Sequence, residues 1–320
     1  MLRSLLIHLS KAAWARNMVT NWSFAWRAAS RFVAGETLDD AIQTIRGLNE
    51  KGITATLDHL GEHTTDMEKA RQSVQDILKA IEQIHLSSVY ANVSIKLTQI
   101  GLALDEEMCV DNLKQIVTYA KDKGNFIRLD MEDSYWVDTT LRIFRRIREE
   151  YGLLNIGVVI QSYLYRSQND VTRIIQDGGK VRLCKGAYNE PPQVAFPKKM
   201  DVDSNYDLLS KIIIDGALQL NSPLRSDNCL VPPIPAFATH DPKRIAYVKD
   251  YASKVGIPKQ AIEFQMLYGI RRDLQEQITG EGYPVRIYVP YGTEWYPYFM
   301  RRLAERPANV WFFISNFFKG

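Results

Sequence analysis

The sequence predicts an α/β chain whose strands close into a (β/α)8 barrel. Three observations predict it. Short β-rich runs alternate with longer helical patterns along the 320 residues, which implies βαβ units and a parallel sheet. There are eight such runs, the number that closes a barrel of this type. No G-x-G-x-x-G follows the first run, so an open dinucleotide-binding sheet lacks its fingerprint.

The β-rich runs are 53–57, 92–97, 126–131, 157–161, 180–185, 236–240, 262–266 and 285–290. Helical patterns cover 66–84, 105–121, 134–150, 204–220, 242–254 and 294–305, the last capped by Thr293 and stopped near Pro307. One stretch, 187–203, reads as a loop because Pro191, Pro192 and Pro197 interrupt it. A second cluster, Pro232, Pro233 and Pro235, leads into the sixth run. Neither looks like a domain linker. The expected division is an amphipathic segment over 1–35 and a catalytic barrel over 36–320.

Composition narrows the function class. Hydrophobic residues make up 46% and charged residues 24%, as in an ordinary globular chain able to bury a large core. A net charge of +3, with no run of like charges, gives no footprint for nucleic acid. Cys109, Cys184 and Cys229 form neither a disulfide framework nor a zinc motif, so a reducing, cytoplasmic setting and no metal are expected. No stretch reaches the roughly 20 apolar residues of a membrane span. Residues 1–35 are nonetheless basic and acid-free. They carry Arg3, Lys11, Arg16, Arg27 and Arg31, with Trp14, Trp22, Phe24, Trp26 and Phe32. Such a segment suits a peripheral membrane contact or an import peptide, and equally one or two helices packed on the barrel.

The strands themselves carry the functional signal. Buried parallel strands normally read as continuous Val, Ile and Leu. Here Lys96, Asp130 and Arg182 stand at or near the C-terminal ends of three of them. Side chains alternate along a strand, so if Ile95 and Leu97, Leu129 and Met131, and Val181 and Leu183 face the helices, the three charges face the barrel mouth. Unpaired charges there are costly, so they should pair with one another or with a ligand. Arg128 lies on the same face as Asp130, which leaves an internal salt-bridge layer as the plainer alternative. Arg301 and Arg302, on the last helix, are either solvated or a forked grip for a carboxylate. Lys185-Gly186-Ala187-Tyr188 and Thr239-His240 follow the fifth and sixth strands. A glycine at a strand end allows close backbone approach to a ligand, or simply a tight turn.

Together these segments resemble the proline dehydrogenase family. The matching stretches are Ser94-Ile95-Lys96-Leu97-Thr98-Gln99, Leu129-Asp130-Met131-Glu132, Val181-Arg182-Leu183-Cys184-Lys185-Gly186-Ala187-Tyr188 and Ala238-Thr239-His240. Glu263-Phe264-Gln265-Met266-Leu267-Tyr268-Gly269, Arg286-Ile287-Tyr288-Val289-Pro290-Tyr291-Gly292 and Arg301-Arg302-Leu303 complete the order. The resemblance runs from about residue 58 to 307, and the length is similar to that of the compact bacterial monofunctional form.

The resemblance implies a distorted TIM-type barrel holding FAD at the strand C-termini. It implies oxidation of L-proline to Δ1-pyrroline-5-carboxylate, with electrons passed to a quinone or another acceptor. Lys96, Arg301 and Arg302 match groups that bind the substrate carboxylate, and Tyr288 and Leu267 match the walls of the proline ring. Asp130 matches an acid that holds Lys96, and Arg182 the arginine beside the flavin's reactive nitrogen. Met131, Gln161, Lys185, Gly186, Ala187, Thr239 and His240 match cofactor contacts. Glu62 matches a gate that pairs with the arginines. The residue types fit, because oxidising a secondary amine hands a hydride to the cofactor and asks the protein only to orient the ring and hold the carboxylate. Two other readings stay open at this point. One is an aldolase using Lys96 as a Schiff-base amine; the other is a binding relative that kept the barrel and lost the chemistry.

Overall fold

Eight strands pair in parallel, each with the next in sequence and the last with the first, into a closed barrel. The structure is a computed structural model and describes residues 23–61, 64–221 and 224–305. The strands are β1 (Thr54–His59), β2 (Ala91–Ile95), β3 (Ile127–Leu129), β4 (Ile156–Gln161), β5 (Lys180–Cys184), β6 (Pro235–Ala238), β7 (Glu263–Leu267) and β8 (Val285–Tyr291). The expected fold class is therefore the observed one. Ile95, Leu129, Val181 and Leu183 are fully buried in the layer between strands and helices. The alternate positions fill the barrel interior. Register aligns Thr56 with both Asn92 and Tyr288, Ser94 with Arg128, Val159 with Arg182 and Ala238 with Gln265.

The helices are α1 (Ser23–Ala29), α2 (Leu38–Asn49), α3 (Met67–Leu86), α4 (Glu106–Asp122), α5 (Val137–Glu149), α6 (Ser167–Gln176), α7 (Lys199–Gln219), α8 (Pro242–Val255), α9 (Arg272–Gly280) and α10 (Trp295–Glu305). Local chemistry sets several starts. The Asp66 carboxylate accepts from the Glu68 and Lys69 amides ahead of α3, and Asp105 from Met108 in α4. Each such cap is worth about 1 kcal/mol. In α3, Ala70, Val74, Ile77, Ile81 and Ile84 form the buried stripe, spaced by three or four residues.

Several boundaries differ from the sequence reading. β2 stops at Ile95 and β3 at Leu129, so Lys96 and Asp130 stand one residue beyond their strands. The Asp130 amide closes that ladder on Ile95 O at 2.9 Å, after which Leu97–Ile100 turns as a short 3₁₀ helix. α7 opens at Lys199 rather than 204, because the last proline is Pro197 and Lys199 pairs with Asp203 one turn on. α10 opens at Trp295, leaving Thr293 two residues ahead of it. Pro307 lies outside the described residues.

Residues 23–36 reach across to α10. Trp26 and Trp295 have ring centroids 5.5 Å apart, and Phe32 and Phe299 6.3 Å. The Ala34 amide donates to Pro290 O at 2.9 Å, and Trp295 Nε1 donates to Glu36 at 3.2 Å. The four rings belong to a second apolar cluster, separate from the main core, that binds α10 to the N-terminal segment. Trp14 and Trp22 lie outside the described residues. Among the described residues, no helix is long and apolar enough to cross a membrane.

Candidate active site

The charges at the strand ends meet at one rim. Lys96 Nζ lies 3.2 Å from Asp58 and 3.7 Å from Asp130. Asp130 accepts from Ser94 Oγ at 2.8 Å, Arg182 Nη1 at 2.8 Å and Tyr288 Oη at 2.6 Å. Arg182 also donates to Ser94 at 3.0 Å, to Thr56 at 3.4 Å and through Nε to Gln265 Oε1. Its guanidinium lies 5.5 Å from the centre of the Tyr288 ring. Buried ions are tolerated when charge partners and hydrogen bonds offset desolvation, and each of these charged groups has a partner of opposite charge.

Two positive and two negative charges make this group neutral. Two more cations, Arg301 and Arg302, stand on α10, the helix after β8. Arg302 is buried, its guanidinium 5.2 Å above the ring of Tyr298, and Arg301 is half-buried. Glu62, the expected partner of this pair, lies outside the described residues.

Burial pushes the Asp58 carboxyl up, the Lys96 charge pulls it back, and Asp130 pushes it up again, leaving it above its ordinary value. Burial, reinforced by the Asp130 and Asp58 charges, holds the Tyr288 phenol well above its usual range, so Tyr288 is a lasting hydrogen-bond donor to Asp130.

The sequence reading missed Asp58. The signal was present, since Asp58 is the last residue but one of β1, but the run read as 53–57 stops one residue short of it. Arg128 departs from the salt-bridge alternative. It donates instead to the carbonyls of Val158 at 3.3 Å and Lys180 at 2.7 Å. The inward face of Gly157 makes room for it: a Cβ there would sit 2.5 Å from Arg128 Nη1 and 2.7 Å from Lys180 O.

The residues matched to cofactor contacts line the neighbouring rim. Gln161 ends β4 and donates to Glu132 O at 3.2 Å and, more weakly, to Met131 O at 3.5 Å. Its Oε1 is buried with no hydrogen-bond partner among the described residues. Met131 itself is buried in the core. Gly186 follows β5 at φ 108°, where a Cβ would run into the Tyr163 ring at 2.5 Å. Lys185 sits between Asp203 at 2.5 Å and Asp241 at 2.7 Å. Ala187 is half-buried beside it. Thr239 accepts from the Asp241 amide at 3.1 Å. His240 Nε2 accepts from the Leu267 amide at 2.9 Å, which ties a residue matched to the cofactor to one matched to the substrate.

Known proteins resemble this chain along its length. The sequence profile described as "Proline dehydrogenase" matches residues 41–314. Proline dehydrogenase of Deinococcus radiodurans is 43% identical over 298 residues, covering 92% of this chain and 91% of that one. Proline dehydrogenase 2 of Bacillus subtilis is 37% identical over 318 residues, covering 99% of each. Among solved structures, proline utilization A from Bdellovibrio bacteriovorus superposes with a TM-score of 0.78 at 28% identity, over 88% of this chain and 33% of that longer one. The barrel, its charged rim and these likenesses agree: the chain belongs to the proline dehydrogenase family and is an oxidoreductase of proline catabolism.

Proposed function

We propose that the chain oxidises L-proline to Δ1-pyrroline-5-carboxylate with FAD at the barrel mouth, and that the electrons pass on to a quinone-type acceptor. The observation that carries this reading is the buried Lys96–Asp130–Arg182–Tyr288 group, joined by Asp58, where the barrel opens. The residues present fit a flavin. Gln161 Oε1 is a buried acceptor in need of a donor such as a flavin N–H. Lys185 is already held by two carboxylates, so any phosphate oxygen near it would compete with Asp203 and Asp241.

When bound, the flavin supplies acceptance of a hydride. The protein's part is positioning. Lys96, Arg301 and Arg302 hold the substrate carboxylate, and Asp130 and Asp58 fix where Lys96 points. Tyr288 and Leu267 wall the ring, and Arg182 sets a positive charge beside the cofactor. Met131, Gln161, Lys185, Gly186, Ala187, Thr239 and His240 hold the cofactor. α10 closes over the substrate, and the amine gives up its proton to water. The N-terminal residues 1–35 serve as a peripheral contact with the membrane that carries the acceptor.

Lys96 engaged by two carboxylates is arranged as a charge partner rather than as an amine aimed at a carbonyl, which disfavours the aldolase reading. Anaerobic mixing with L-proline tests the proposal: the yellow absorbance should bleach with one equivalent of product. A colourless protein that FAD does not restore overturns it.

A further inference from the structure

Below the mouth, a line of buried hydrogen bonds climbs from the barrel floor to Arg182. Arg286 is fully buried on β8 and donates Nη1 to Ala55 O at 2.7 Å, Nη2 to Cys229 O at 2.8 Å and Nε to Glu263 Oε1 at 2.9 Å. Glu263, the fully buried first residue of β7, also accepts from Gln265 Nε2 at 2.5 Å. Gln265, two residues on along the same inward face, turns its Oε1 to Arg182 Nε.

The direction of every bond is forced. Burial raises the Glu263 carboxyl, but the Arg286 charge and the hydrogen bonds from Arg286 and Gln265 outweigh it and hold the group below its ordinary value. A carboxylate only accepts, so Gln265 must present its NH2 downward and its carbonyl upward. An unconstrained amide has two nearly equivalent orientations. Here the wrong one would set an N–H donor against Arg182 Nε–H.

Arg182 in turn has few other ways to sit. Nη1 is committed to Ser94 and Asp130, and Nη2 reaches Thr56 at the longer distance of 3.4 Å. The Nε bond to Gln265 is the contact that fixes the plane of the fork from below.

We propose that Glu263 and Gln265 are positioning residues: by orienting the Gln265 carbonyl they set the plane of the Arg182 guanidinium, and with it the place of its charge beside the cofactor. This inference rests on the reading of Arg182 as the cofactor-facing cation. It assigns a purpose to a charged pair deep in the barrel that the carboxylate grip does not use.

The test is Gln265→Met, which keeps the length of the side chain and removes both ends of the relay. Anaerobic flavin reduction by proline should slow at least tenfold, and the midpoint potential of the bound flavin should shift negative. The affinity for a five-membered-ring carboxylate that lacks the amine should stay within about twofold, since Lys96 and the arginine pair are untouched. Gln265→Glu should restore most of the rate, because a carboxylic acid can donate to Glu263 and accept from Arg182 as the amide does. If Gln265→Met does not fold, Gln265→Asn carries the same expectations, being one methylene too short to reach both partners. A variant that loses only thermal stability, with rate and potential unchanged, overturns the relay. Arg182→Met separates the two claims: if it too leaves rate and potential unchanged, the reading of Arg182 has failed, whereas a slow Arg182→Met beside a normal Gln265→Met condemns the relay alone.

Discussion

The ammonium of Lys96 and the carboxylate of Asp58 stand 3.2 Å apart, the carboxylate almost wholly out of water. Lys96 lowers the pKa that burial raises in Asp58. An acid whose folded-state pKa is raised contributes stability at low pH and loses it as pH rises through that pKa. Without Lys96, the Asp58 pKa climbs further, so that loss grows. Lys96→Met should therefore fall further behind the wild type in Tm at pH 8 than at pH 5. Thermal unfolding at both values checks this, and a gap that is constant with pH would exclude the coupling.

Arg302 is the better-buried member of the arginine pair. If it grips the substrate carboxylate, Arg302→Met leaves that charge without its partner in a dry site. The expected loss is about 2–5 kcal/mol of substrate binding. It should appear as a large rise in KM for proline with little change in kcat. Steady-state kinetics that match the wild type would remove the pair from the site.

Much of this site could be read from the sequence, for a physical reason. A charge within a strand that is otherwise Val, Ile and Leu is expensive, so Lys96, Asp130 and Arg182 stand out, and the structure joins all three. Asp58 obeys the same logic, but its strand reads Thr-Ala-Thr-Leu-Asp-His, already half polar, so one more polar residue does not stand out. Gln265 carries no charge and Glu263 sits at a strand start, so neither stood out as an interior group; only coordinates reveal a relay. Arg301 and Arg302 show the opposite limit. Their adjacency was visible, yet which way a helix faces depends on Phe32, Trp26 and the apolar cluster that holds it. Short helices such as α6 and α9 were passed over because few turns give periodicity little length in which to show.

Lys180 opens β5 on the barrel's inner face, across from Gly157. Burial, aided by the nearby Arg128 charge, pushes its ammonium down to about 8 from 10.5. For a base with a depressed pKa, charging costs stability as pH falls through the folded value, and the cost is absent above the unfolded one. Lys180→Met should therefore stabilise the protein at pH 7 by about 1–3 kcal/mol. The gain should shrink as pH approaches 10.5. Denaturant unfolding at neutral and alkaline pH decides the matter, and a gain of equal size at both would show that packing, not charge, is its source.

Phe32 tests whether the N-terminal segment serves the site or only the fold. It is buried against Phe299 of α10, the helix that carries Arg301 and Arg302, and it lies in the cluster separate from the main core. Truncating a buried phenylalanine costs about 3–5 kcal/mol where the site cannot collapse. In Phe32→Ala that cost falls on the seating of α10, while Lys96, Asp130 and Arg182 keep their strand-borne positions. If the arginine pair grips the substrate carboxylate, loosening α10 spreads it over more orientations and costs affinity before it costs rate. KM for proline should then rise by about tenfold, equivalent to about 1.4 kcal/mol, with kcat changed by less than about twofold. A lower Tm with an unchanged KM would mean that the segment supports the barrel without aiming the arginines.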